Sequence, residues 1–251
     1  MFDATGTKPA PRPKKPRKRR HGVALGRRPR PERRGFVPHK TRDDHEKEHP
    51  VHISMRRVPN APSLRSERIF REILRQLARA KRCGIRVVHY SVQRDHLHLI
   101  AEGKDRFDLA AQTRKLFSRI ALAVNYIARR RGRLFRDRHH RAELDGPTRT
   151  RNALVYVLFN ERKHYAQNGG ALSPAYLSEL DDKSSIAWLD ARDWDPRARP
   201  PPELIARLRA RDADIDGFGA PRSEPSTWFA QAGWRIQGGG ALDLHELPRF
   251  L

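Results

Sequence analysis

Val51-His52-Ile53-Ser54-Met55-Arg56-Arg57-Val58 alternates apolar with polar residues, the period of a strand with one buried face. Pro59 to Ser63 breaks the pattern, and Ile69, Ile73, Leu74 and Leu77 then recur at helical spacing. That helix is predicted to stop at Cys83-Gly84, because glycine accepts the left-handed conformation that ends helices. Ile85 to Val92, rich in β-branched residues, predicts a second strand. His96 to Ala101 predicts a third, hairpinned onto it through Arg94-Asp95. Leu109, Leu116, Ile120, Leu122, Ala123 and Ile127 mark a long helix closed by the cations Arg129-Arg130-Arg131, which suit the negative end of a helix dipole. Arg133 to Arg138 predicts a short fourth strand, and Ala153 to Phe159 a third helix starting near Thr148-Arg149-Thr150. Strand, helix, strand, strand, helix, strand is the split-βαβ order. The expected fold is therefore α+β, a ferredoxin-like antiparallel sheet with helices on one face and the other face free for a ligand. The alternating strands argue against a helix-turn-helix.

Charge divides this frame into three parts. The 251 residues carry 53 Lys and Arg against 29 Asp and Glu, a net charge of +24. Residues 1–40 hold 14 of the cations against Asp3 and Glu32, with seven prolines and almost no aliphatic clusters. Such a stretch cannot bury enough apolar surface to offset its ordering entropy, so residues 1–46 are expected to form a disordered basic arm. Residues 41–166 hold 29 basic and 14 acidic residues, net +15, whereas residues 167–251 hold 10 and 13, net −3. The predicted organisation is the arm, a folded domain over 47–166, and a partly ordered C-terminal extension over 167–251 that packs back through its four tryptophans. A basic, foldable middle segment points to a polyanion, nucleic acid above all. Apolar runs of a few residues fall far short of the ~20 that cross a bilayer, so no membrane partner is expected. The single cysteine, Cys83, excludes an internal disulfide framework and a Cys-rich zinc module. With no apolar stretch behind the N-terminal charges, the expected compartment is the reducing cytoplasm.

His96-Leu97-His98 is the most informative triplet. Residues two apart on a strand share a face, so both imidazoles project together while Leu97 points to the core. Two neutral imidazoles form part of a divalent-metal site that needs further ligands, or else a solvent-facing pair beside phosphate. Tyr156 and Asn160 stand four apart on the predicted third helix, on one face. A tyrosine hydroxyl can attack a phosphodiester and an asparagine carbonyl oxygen can ligate a hard cation, although a tyrosine among Val155, Val157 and Phe159 also suits a core. Tyr126 is a second tyrosine, without Asn or Gln four residues on. His49 and His52 flank the first strand, where either could approach a metal but structural or phosphate-facing roles are preferred, and His139-His140 reads as a phosphate contact. Arg94, Arg136, Arg138 and Arg141 are either guanidinium forks for the DNA backbone or a solvated basic face.

Taken together these residues resemble the single-tyrosine HUH transposases, in particular the REP-associated tyrosine transposases. The resemblance runs from His49 to His164, roughly half of the chain. It rests on His49-Pro50-Val51-His52-Ile53, Asp95-His96-Leu97-His98-Leu99-Ile100, Arg133-Leu134-Phe135-Arg136-Asp137-Arg138 and Tyr156-Val157-Leu158-Phe159-Asn160. The family's last motif reads Tyr-Ile-X-X-Asn-Pro; here Val157 replaces the isoleucine and Glu161 the proline. The resemblance implies that His96, His98 and Asn160 hold Mg²⁺ or Mn²⁺ and that Tyr156 attacks a phosphorus of single-stranded or hairpin DNA. The implied products are a 5′-phosphotyrosyl enzyme and a free 3′-hydroxyl, rejoined without ATP in DNA transposition at palindromic repeats. A catalytically inactive or domesticated DNA-binding protein is the alternative, and a relaxase or replication initiator is disfavoured by the short core. Monomer and homodimer both remain open.

Overall fold

The computed structural model describes residues 44–248. The expected arm lies outside them except for its last residues, which are fixed: the buried His45 ion-pairs with Glu143 at 2.9 Å and donates to the Gly103 carbonyl. Four strands form one antiparallel sheet: β1 (Val51–Arg56), β2 (Arg86–Val92), β3 (His96–Glu102) and β4 (His140–Glu143), in the order β2-β3-β1-β4. α1 (Glu67–Ala80) connects β1 to β2, and α2 (Arg106–Ile127) connects β3 to β4. A 3₁₀ turn follows α1, and Gly84 at φ +95° then turns the chain, in the conformation that disfavours a side chain. α2 starts at Asp105, whose carboxylate caps the amides of Phe107 and Asp108 at 2.8 Å each.

The fourth strand is not where the pattern predicted it. Leu134 and Phe135 are buried in the core, and the segment makes only an isolated bridge, Arg57 to Phe135. The strand proper is His140-Arg141-Ala142-Glu143, an edge strand whose pairing with β1 runs from Val51 opposite Glu143 to Ser54 opposite His140. With one alanine among four residues it shows no apolar alternation, so the apolar Leu134-Phe135 pair drew the assignment instead.

The sheet also has helices on both faces rather than one. Ile53, Met55, Tyr90, Val92, Leu97 and Leu99 pack on one side against α1 and α2. On the other side Ile100 joins Leu154, Val157 and Leu158 of α3 (Pro147–Leu158) in a second core. Three of that core's partners, Ile186, Trp194 and Trp234, come from the C-terminal extension. Burying these large side chains is what draws α3 and the extension onto the sheet. After α3 come α4 (Asn160–Gln167), which closes the first domain, and then, in the extension, α5 (Pro174–Leu177), α6 (Pro202–Asp212), a π-helical turn (Phe229–Gly233) and α7 (Trp234–Ile236). The extension also pairs with the outer edge of β2: the Tyr90 amide donates to Ser185 Oγ, the Ser185 amide to the Tyr90 carbonyl, and the Ser223 amide to the Val87 carbonyl. Among the described residues no helix is long and apolar enough to cross a membrane.

Candidate active site

Antiparallel register sorts the site by face, because residues opposite one another share a side. Ser54 pairs with His98 and Arg56 with His96, while Leu97 and Leu99 point into the first core. His96 and His98 therefore project from the second face, at the end of the sheet that α3 does not fill with apolar side chains. Their rings stand 4.6 Å apart, edge to face. His52, one strand away, stacks on His98 at 5.1 Å, with its Nε2 at 3.0 Å from Nδ1 of His98. Tyr156, on the last turn of α3, lies 5.2 Å from the His98 ring and 5.7 Å from that of His52. The tyrosine is half-buried, and Lys163 Nζ lies 4.7 Å above its ring.

Protonation follows from the surroundings. Nδ1–H of His96 donates to Asp95 at 2.7 Å, and that bond holds the Asp95 carboxyl at about 2. Burial, with neighbouring imidazoles adding to it, pushes His52 down to about 4 and His98 well below the ordinary histidine value. Both are neutral at pH 7. With Nδ1–H of His98 donating to His52, the buried Nε2 of His98 is an unpartnered lone pair. A carboxylate or imidazole on the far nitrogen is the arrangement that orients histidines toward a metal. In donor chemistry the His96–His98 pair therefore fits a divalent cation. Among the described residues, no group of three or more His, Cys, Asp or Glu is assembled to enclose one.

Asn160 is placed differently from its predicted position. The helix breaks at Phe159 (φ −107°, ψ 18°), so Tyr156 and Asn160 belong to two helices, α3 and α4, rather than to one face of one helix. Asn160 is fully buried, and among the described residues neither its amide nitrogen nor its oxygen has a hydrogen-bond partner. The ring that meets His96 from α4 is His164, 5.1 Å away, its Nε2 likewise buried and unpartnered. His164 is the residue that pattern reasoning passed over, and His52, expected from the sequence to be more structural or phosphate-facing than metal-facing, stands inside the cluster. Both lie within the span of the resemblance, yet neither has a spacing that singles it out.

The four arginines do not gather. Arg94 is exposed in the β2–β3 turn beside His96, whereas Arg136 and Arg138 are half-buried in the segment before β4. Arg141 stands opposite Ile53 and ion-pairs with Glu143 at 3.3 Å, on the face of α1 and α2 rather than that of the imidazoles. Tyr126 is 83% exposed on α2, in the layer away from the imidazoles. His49 stacks on Phe229 and His139 on Phe117, both outside the cluster.

No family model and no curated protein matches this sequence. Among solved structures, a REP-associated tyrosine transposase bound to a REP hairpin is similar over 50% of this chain and 73% of its own, at 16% identity and a TM-score of 0.41. An overlay that loose carries neither fold nor activity across to this chain.

Proposed function

We propose that this chain is a metal-dependent transposase or endonuclease that cleaves and rejoins single-stranded DNA through a 5′-phosphotyrosine, at hairpin or palindromic repeat sequences. The observation that carries the reading is the convergence of Tyr156 with His98 and His52 across the sheet face, 5.2 and 5.7 Å ring to ring. The strand order β2-β3-β1-β4 with its two crossover helices supports the ferredoxin-like HUH plan. His96 and His98 would hold Mg²⁺ or Mn²⁺, with Asn160 the third ligand by resemblance. When bound, that ion would polarise the scissile phosphate and offset charge on its oxygens. Asp95 and His52 hold the two imidazoles in the tautomers that leave their Nε2 atoms free. Tyr156 Oη forms a bond to phosphorus as the bond from phosphorus to the 3′ oxygen breaks; the phenolic proton leaves to solvent, and the departing 3′ oxygen takes a proton from solvent to become the free hydroxyl. Lys163, above the ring, helps to hold it in position through a cation–π contact. A 3′-hydroxyl attacking the phosphotyrosine reverses the step, since the linkage conserves the phosphodiester.

The test is covalent trapping of labelled single-stranded hairpin DNA in Mn²⁺ on a denaturing gel. A shifted band that is lost in Tyr156→Phe and His96→Ala is the expected result. Binding without an adduct, across several repeat-derived oligonucleotides, would overturn catalysis and leave a DNA-binding protein.

A further inference from the structure

The same face of β3 that carries His96 and His98 ends at Glu102, six residues on and about 20 Å away. The Glu102 side chain is 2% exposed and accepts from the Ser226 and Thr227 amides and from both their hydroxyls, at 2.6–3.0 Å, with Arg86 at 3.3 Å. Every bond but the last goes to one turn of the C-terminal extension. What that clamp presents is an aromatic step. Trp228 is 46% exposed, its ring 5.5 Å from Phe229, which stacks in turn on His49. The Trp228 ring lies so close over Gly233 that a Cβ there would sit 2.5 Å from it, so one edge of the indole packs on the glycine while half of the side chain faces water. The π-helical turn that begins at Phe229 is a form enriched at functional positions. Beside these rings lies a pocket of about 550 Å³, with Lys47, Arg86 and Lys104 at its walls against Glu48 and Asp108. Glu102 lines it too, already consumed by its bonds.

We propose that this pocket is a second DNA subsite, which takes an unpaired nucleobase stacked on Trp228 while Lys104 and Lys47 hold the neighbouring phosphates. A half-exposed indole packed on Gly233 offers the π-face that any base can stack on, and the volume accommodates a nucleotide. The mixed walls suit an uncharged base next to a phosphate better than a duplex backbone. The inference rests on single-stranded DNA being the partner, though not on cleavage.

The experiment measures equilibrium binding of fluorescein-labelled oligonucleotides to the full chain in EDTA: a hairpin with single-stranded flanks, the same hairpin blunt-ended, and a duplex. Trp228→Ala is expected to weaken the flanked hairpin about tenfold and the blunt hairpin little, with Trp228→Phe retaining most of the affinity. A thermal unfolding curve on each variant separates a lost contact from a lost fold. Equal affinity of wild type and a folded Trp228→Ala for the flanked hairpin overturns the subsite, as does an equal loss on all three DNAs. In either case the covalent adduct at Tyr156 still forms, so the cleavage reading stands. An adduct lost in Tyr156→Phe with the Trp228 effect intact supports both, whereas absence of all DNA binding by wild type overturns both.

Discussion

The two ends of β3 hold buried polar groups in opposite conditions. At the Glu102 end every lone pair the carboxylate offers to the extension is met by an amide or hydroxyl, and the result is a fixed turn. At the His96 end Nε2 of His98 and Nε2 of His164 are buried without partners among the described residues. Leaving a buried polar atom unmet costs about 1–3 kcal/mol, a cost that the metal and DNA of the proposed function would offset. One strand face thus separates a part that holds the protein together from a part that, on the proposed function, waits for a ligand.

The largest effect expected from breaking this contrast is at the waiting end. Tyr156→Phe should reduce covalent adduct on the order of 10³-fold or more, measured on denaturing gels, with oligonucleotide affinity unchanged. At the satisfied end, Glu102→Ala strands four donors, two of them on the buried Thr227, and should cost about 3 kcal/mol, lowering the thermal midpoint by roughly 10 °C; Glu102→Gln, which keeps an acceptor, should lose less. His89, on β2 between the two ends, is buried against Ser185, and burial depresses it to about 3. Its folded form binds fewer protons than the unfolded chain between about pH 6.5 and 3. Stability is therefore full above pH 6.5 and falls as pH drops through that window, by up to about 1.4 kcal/mol per unit for this group. His89→Gln should flatten the low-pH limb of urea midpoints against pH. The smallest effect is at Lys163: Lys163→Met should slow adduct formation about two- to fivefold, the scale of one cation–π contact, in a time course at fixed Mn²⁺.

What can be read in the amino-acid order follows the physics of each element. β1, β2, β3, α1 and α2 are legible because each buries one periodic stripe, such as Val51-Ile53-Met55 or Ile69-Ile73-Leu77. β4 is illegible because an edge strand of His, Arg, Ala and Glu needs only backbone pairing with β1. The cover on the second face is illegible for a different reason: Ile186, Leu189, Trp194, Trp234, Leu242 and Leu244 are scattered over some sixty residues and form a core only when α3 and Ile100 supply the rest. At the site, the shared face of His96 and His98 follows from a spacing of two. The approach of Tyr156 depends on α3 lying on that face, which no local pattern encodes. The separation of Asn160 from the tyrosine's helix comes from the turn at Phe159, where no glycine or proline announces it.

The outer edge of β2 has one further consequence. Its amides and carbonyls at Val87, Tyr90 and Val92 are occupied by Ser223, Ser185 and Lys183, all from beyond residue 166. A fragment ending at 166 would present that β-branched edge bare to other copies of itself, a ready template for aggregation. Shortening this protein to its histidine- and tyrosine-bearing half should therefore yield insoluble material, and a minimal soluble version has to keep the serines that shield the strand.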